Sequence, residues 1–206
     1  MTTRQKIMQS AKTLIFGEGK FNLLLSEISD NAGISQSTLH YYFRTREKLF
    51  IVVENEMIAE FMEEGKSWIT SGLPIREKVE LYISTSYKRL SLYPFADLYL
   101  LSRINRKSDT YTDEFHNDIM QFSSEIQRAI NTKIITRYDN PVHFIINMIS
   151  LTAHPFILLE LLQKTHVIEQ SEKHNILEHQ KRIIIENLFF DHSRDCFCFI
   201  LFRNST

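Results

Sequence analysis

The chain is poor in the residues that turn a backbone sharply: five glycines and four prolines in 206 residues. No valine- and threonine-rich alternating runs bounded by turn residues occur either, which excludes a sheet-based fold and predicts a nearly all-helical chain. The two cysteines, Cys196 and Cys198, lie too close together to close a long loop. A disulfide framework is excluded, and a reducing compartment fits. "CFC" with His192 has no second half-site, and none of the eight histidines forms an H-x3-H pair with acids nearby, so no metal site and no cofactor are expected. Nucleophile elbows, phosphate-cradling glycine loops and paired catalytic carboxylates are missing too, so the chain is not expected to be an enzyme. The N-terminus "MTTRQKIMQSAKTLIF" has no signal-peptide apolar region and is already amphipathic, so a cytoplasmic location is expected.

What is present is an ordinary globular balance, 43% hydrophobic and 24% charged. The net charge of −1 hides an asymmetry. Residues 1–50 carry seven basic side chains (Arg4, Lys6, Lys12, Lys20, Arg44, Arg46, Lys48) against four acids, while the remainder carries seventeen against twenty-one. A basic end on an acidic chain points that end toward an anion such as nucleic acid.

Ile7, Ala11, Leu14 and Ile15 set a first helix over about 3–17, ended by "GEGKF" with Gly17 and Gly19 as C-caps. A short second helix spans about 24–31. Gly33 suits a turn of positive φ, and Ser35 is placed to cap a third helix over 36–42. Thr45 can cap a fourth, with Phe50, Val53, Met57 and Phe61 on one face. Two short helices across a glycine turn, the second with a polar start, form a helix-turn-helix. Its second helix would lie in the major groove with its N-terminal residues at base edges. Ser35, Gln36, Ser37 and Thr38 are small or polar and able to bond bases or phosphates, while Leu39 and Phe43 hold the helix to its core. Tyr41 and Tyr42 can reach phosphates, and Arg46 and Lys48 occupy the first turn of the next helix.

The run "RQKIMQSAKTLIFGEGKFNLLLSEISDNAGISQSTLHYYFRTREKLF", and "STLHYYFRTREKLF" most specifically, resembles the N-terminal DNA-binding domain of the TetR family of one-component transcriptional regulators. The resemblance implies that the third helix reads an operator and that Tyr42 and Arg46 touch phosphate. Two departures are visible: Leu23-Leu24 stands where the family has Thr or Ser to cap the second helix, and Ser29 stands where it has Ala. The missing cap should cost that helix about 1 kcal/mol.

Beyond residue 50 the fourth helix is expected to run to about 70. A fifth begins near Ile75, a sixth runs from Pro94 to about Asn105, and a seventh carries Phe115 to Ile130. "PVHFIINMISLTAHPFILLELLQ" is apolar almost all round, but His143, Asn147, His154 and Glu160 interrupt it. Burial in its own domain and in a partner's explains it better than a membrane span. A last helix covers about 173–190. The resemblance implies that these last two helices form a dimer interface, with Phe156, Leu159, Ile176, Ile183 and Leu188 as contacts. It also implies a ligand cavity in the middle helices. Aromatic and polar candidates there are Phe61, Trp68, Tyr82, Tyr99, Arg103, His116, Phe122 and Asn147. Ordinary core packing accounts equally for most of the aromatic residues.

The expected organisation is therefore all-α: a three-helix helix-turn-helix domain over 1–50, a helical ligand-binding and dimerisation domain over 51–190, and a tail over 191–206. About nine helices are expected. The expected function is a repressor that binds a palindromic DNA operator as a homodimer and is released by a small, largely apolar effector. The alternative is a helical scaffold or interaction module that keeps the fold without reading DNA.

Overall fold

The computed structural model describes residues 1–103 and 113–190. Among the described residues there are nine α-helices and no strand. They are α1 (Thr3–Lys12), α2 (Leu25–Ala32), α3 (Gln36–Tyr42), α4 (Arg46–Ile69), α5 (Ile75–Leu92), α6 (Ala96–Arg103), α7 (Asp113–Asn131), α8 (Pro141–Lys164) and α9 (Lys173–Phe189). The expected tail, and the expected end of the sixth helix near Asn105, lie outside the described residues.

Capping chemistry explains most of the starts. Thr2 and Gln5 close a reciprocal box at α1: the Gln5 N–H donates to Thr2 Oγ1 at 3.3 Å, and the Thr2 N–H donates to Gln5 Oε1 at 2.8 Å. Ser35 and Thr45 cap α3 and α4 as expected. At α2 the side-chain cap is missing, yet Glu27 reaches back to accept from the Leu24 N–H at 2.8 Å. Half of the box survives, and the carboxylate sits at the positive end of the helix dipole, so the expected penalty is partly offset.

α1 does not end at its last regular turn. Thr13–Gly17 continue as a π turn, with the Glu18 N–H donating to the Thr13 carbonyl. The wider turn lets three consecutive apolar residues, Leu14, Ile15 and Phe16, all point inward. The freed Phe16 carbonyl accepts from the Phe95 N–H at 2.9 Å, at the corner between α5 and α6. Gly19, at φ 72°, lies directly under the Phe95 ring, where a Cβ would come within 3.2 Å of it. A side chain there would meet both a strained backbone and an occupied space.

Two apolar cores result. The first joins α1, the π turn, α2 and α3 to Leu49, Phe50, Val53 and Met57 of α4 and to Ala96, Tyr99 and Leu100 of α6. The second joins Trp68 and Ile69 at the far end of α4 to α5, α7, α8 and α9. With 24 residues, α4 is about 36 Å long, and it enters both cores. The expected break at residue 50 therefore falls inside the first core.

Buried ion pairs fasten the helices. Arg89 of α5 lies between Glu64 of α4, at 3.0 Å, and Asp97 of α6, with its guanidinium over the Phe61 ring. Lys78 of α5 donates to the Ile69 carbonyl at 2.6 Å and to both oxygens of Glu125 of α7. It thus satisfies one of the orphan carbonyls at the end of α4. Neither cluster could be inferred from sequence, because the partners lie 8 to 47 residues apart.

Candidate nucleic-acid interface

The N-terminal half of α3 is exposed and held together by its own hydroxyl groups. Ser35 Oγ accepts from the Thr38 N–H at 3.1 Å and lies 2.8 Å from both Ser37 Oγ and Thr38 Oγ1. One atom therefore caps the helix and fixes two neighbouring hydroxyls. Gln36 and Ser37 are exposed, and Thr38 is half-buried. Behind them Leu39 and Phe43 are buried in the first core, so the outward face is fixed by what the inward face packs against. Gly33, at φ 64°, makes the turn between α2 and α3, and the Ile34 N–H donates to the Ser29 carbonyl at 3.0 Å. Ser29 is fully buried and its hydroxyl donates to the Ser26 carbonyl at 2.8 Å, which satisfies the departure noted in the sequence.

Tyr41 is 82% exposed and stacks edge-on against Tyr42 at 5.3 Å. Both rings face solvent, and neither packs into the first core. Arg44 and Lys48 are exposed on either side of the α4 cap, and the Lys48 N–H donates to Thr45 Oγ1 at 3.3 Å.

Arg46 departs from the expectation. Its guanidinium turns inward, 4.4 Å from the centre of the Phe50 ring, and Nη2 donates to the Phe21 carbonyl at 3.2 Å. Its Nε is buried without a partner. Lys12 is likewise internal, bridging α1 to Glu56 and Glu60 of α4 at 3.3 and 2.6 Å. Burial works to lower its pKa, but the two carboxylates outweigh it and hold the pKa above the ordinary lysine value.

The expected ligand-binding residues do not converge on one place. Trp68, Tyr82 and Phe122 are brought together in the second core, with Trp68 edge-on to Tyr82 at 5.2 Å and to Phe122 at 4.8 Å. Tyr99 belongs to the first core, where its hydroxyl donates to the buried Glu54 at 2.6 Å. Phe61 carries the Arg89 guanidinium. His116 is exposed, and Asn147 donates to the His143 carbonyl of its own helix at 2.8 Å. The Arg103 side chain lies outside the described residues.

The expected dimer contacts also divide. Phe156, Leu159 and Leu188 are buried within the protomer, so they are core residues and present nothing to a partner. Ile183 is half-buried and Ile176 is 37% exposed. The apolar side chains that α8 leaves uncovered are Val142, Ile146, Ile149, Leu158 and Leu161. A helix apolar almost all round gives only a weak period from which to tell its core face from its open face. By length and composition α8 could also cross a bilayer, but it packs against α5, α7 and α9.

Residues 7–53 match the family described as bacterial regulatory proteins, tetR family. Among curated relatives, the transcriptional regulator BetI of Rhizobium meliloti is 25% identical over 41% of this chain and 42% of its own length. QacR of Staphylococcus aureus is 27% identical over 56% of this chain and 68% of its own. The match thus spans less than half of BetI and about two thirds of QacR. The structure of the transcriptional regulator FadR from Bacillus subtilis in complex with stearoyl-CoA covers 90% of this chain and 99% of its own, with a TM-score of 0.54 at 15% identity. That likeness shows a shared fold. A regulator from Haloarcula marismortui aligns similarly, over 91% of this chain at a TM-score of 0.55. Residues 7–53 are accordingly a tetR-family helix-turn-helix domain, carried on a chain with the all-helical fold of that family's regulators.

Proposed function

We propose that this chain represses transcription by binding a palindromic operator as a homodimer, and that a small, largely apolar effector releases it. The observation that carries the reading is the outward start of α3. Ser35, Gln36, Ser37 and Thr38 present hydroxyl and amide groups, and Tyr41, Tyr42 and Lys48 flank them on α3 and the first turn of α4. In this reading Gln36 and Thr38 read base edges, while the tyrosine hydroxyls and Lys48 position the domain on phosphates.

The homodimer rests on α8. Val142, Ile146 and Ile149 leave an apolar face open on its first half, and Leu158 and Leu161 a second apolar patch toward its end, and a second copy of the same helix would bury them. The effector class rests on the second core, which is built of aromatic and aliphatic side chains and beside which the buried Lys78 is already paired with Glu125. A charged effector would stand there uncompensated. The Trp68 ring touches those of Tyr82 and Phe122, so an effector that binds here must part them.

Footprinting on the DNA that flanks the chain's own gene tests the reading. The expected result is two inverted protected half-sites, about 34–36 Å or a multiple of that apart. Protection should fade when hydrophobic compounds are added. No protected site anywhere in that DNA would refute operator binding.

A further inference from the structure

We infer that Arg46 is a positioning residue for DNA recognition: it braces the start of α4 from inside and leaves the phosphate contacts to its neighbours. This rests on the operator-binding reading above. Arg46 is the first residue of α4, immediately after the Thr45 cap, where an outward guanidinium would be free to meet a phosphate. It does not point outward. Its charge lies over the Phe50 ring at 4.4 Å, one turn along the same helix, and Nη2 donates to the Phe21 carbonyl at 3.2 Å, 25 residues earlier in the chain. Phe21 stands in the connection between the π turn and α2.

The brace closes into a ring of contacts. The Phe21 side chain packs edge-on to Tyr99 of α6 at 5.2 Å, and Tyr99 donates to Glu54 at 2.6 Å, two helical turns beyond Arg46 on α4. Arg46 therefore fixes the α1–α2 connection against the same helix end that Thr45 caps, three residues after α3 finishes. The tilt of α3 depends on both. The stacked, hydrogen-bonded arginine leaves Nε buried without a partner, and a planar fork tolerates that arrangement better than an ammonium would, because the ring face supports the whole guanidinium. Arg44 and Lys48, both exposed, are the basic groups left to meet phosphates at this end of the domain.

Two properties separate a brace from a phosphate contact. A phosphate contact releases a counterion, so its loss flattens the dependence of log K on log salt by about 0.9, equally on every sequence. Loss of a brace leaves that slope alone and lowers discrimination between sequences, because the base-reading residues lose their register. The experiment measures fluorescence anisotropy of wild type, Arg46→Met, Arg46→Lys and Lys48→Ala, from about 50 to 200 mM salt. Two duplexes are used: the intergenic fragment flanking the gene and a scrambled sequence of equal length. Arg46→Met should keep the wild-type salt slope, lose about tenfold of the affinity ratio between the two duplexes, and melt lower. Arg46→Lys should not restore the ratio, whereas it would restore a simple phosphate contact. Lys48→Ala should flatten the slope on both duplexes and keep the ratio. Circular dichroism at the assay temperature keeps the comparison to folded protein. A slope flattened by about one unit in Arg46→Met, with the ratio intact, would overturn the brace. If wild type binds neither duplex in a salt-dependent way, operator binding fails instead, and the two failures cannot be confused.

Discussion

Tyr87 offers a test of the second core in which removing one atom should stabilise the protein. The side chain is 5% exposed, with its ring edge-on to Phe156 at 4.8 Å and the Lys181 ammonium 4.9 Å from its centre. Its hydroxyl is buried and has no hydrogen-bond partner. An unpaired buried hydroxyl costs about 1–3 kcal/mol of desolvation that nothing in the core returns. Tyr87→Phe deletes that oxygen and keeps the ring, so both ring contacts persist. We expect a gain of about 1 kcal/mol, which for a chain of this size raises Tm by about 2–4 °C. Urea unfolding at fixed protomer concentration should show a higher midpoint with an unchanged m-value. The pH dependence supplies a second readout. Burial pushes the Tyr87 hydroxyl up to about 12, while an unfolded tyrosine ionises near about 10. Stability from this group is thus fully present below about pH 10 and is lost as pH rises toward 12. The variant should lose less across that window. A destabilisation of about 1 kcal/mol or more in Tyr87→Phe would mean that the hydroxyl is satisfied, and the reasoning would fail.

The remaining predictions concern assembly, anchoring and the effector. Ile146→Asp or Ile149→Asp on the open face of α8 should yield folded monomers by sedimentation that no longer bind an inverted repeat; persistent dimers would place the contact elsewhere. Leu188→Asp, by contrast, puts a charge at a position with no solvent exposure, and should unfold the chain by circular dichroism rather than merely separate protomers. Lys78→Ala strands the largely buried Glu125 and an α4 carbonyl, and should cost about 3 kcal/mol in urea unfolding. Hydrophobic compounds should raise Tm and weaken operator binding, while sugars and phosphorylated metabolites do neither; the reverse pattern would exclude an apolar effector.

How much of this was legible in the sequence follows from the range of each interaction. Caps act over three residues, so Ser35 and Thr45 announce α3 and α4 directly, and the 3.6-residue period gives Leu39 and Phe43 their inward direction. Arg46 shows where that legibility stops. Its spacing suits a phosphate, and its actual direction is set by a carbonyl 25 residues away and by a ring one turn along. The aromatic residues of the middle helices read the same whether they fill a core or line a cavity, and only their mutual contacts distinguish the two. On α8 the signal is weak: the helix is apolar almost all round, and Phe156 and Leu159 look no different from Ile146 and Leu161. The π turn had no signature of its own, since "TLIFG" also continues a regular helix.

The sharing of the first core with α6 has a consequence for the order of synthesis. Ala96, Tyr99 and Leu100 complete a core whose other members lie between Ile7 and Met57. A ribosome adds about 5–20 residues per second, so Met57 is added about 2–9 s before Leu100, the last residue of that core. During that interval the face destined for α6, built from Phe16, Phe21 and Glu54, is unsealed on the nascent chain. The N-terminal unit is therefore the first to be made but stays incomplete until Leu100 has been added, and a nascent chain stalled before residue 96 should show its helices without a cooperative melt.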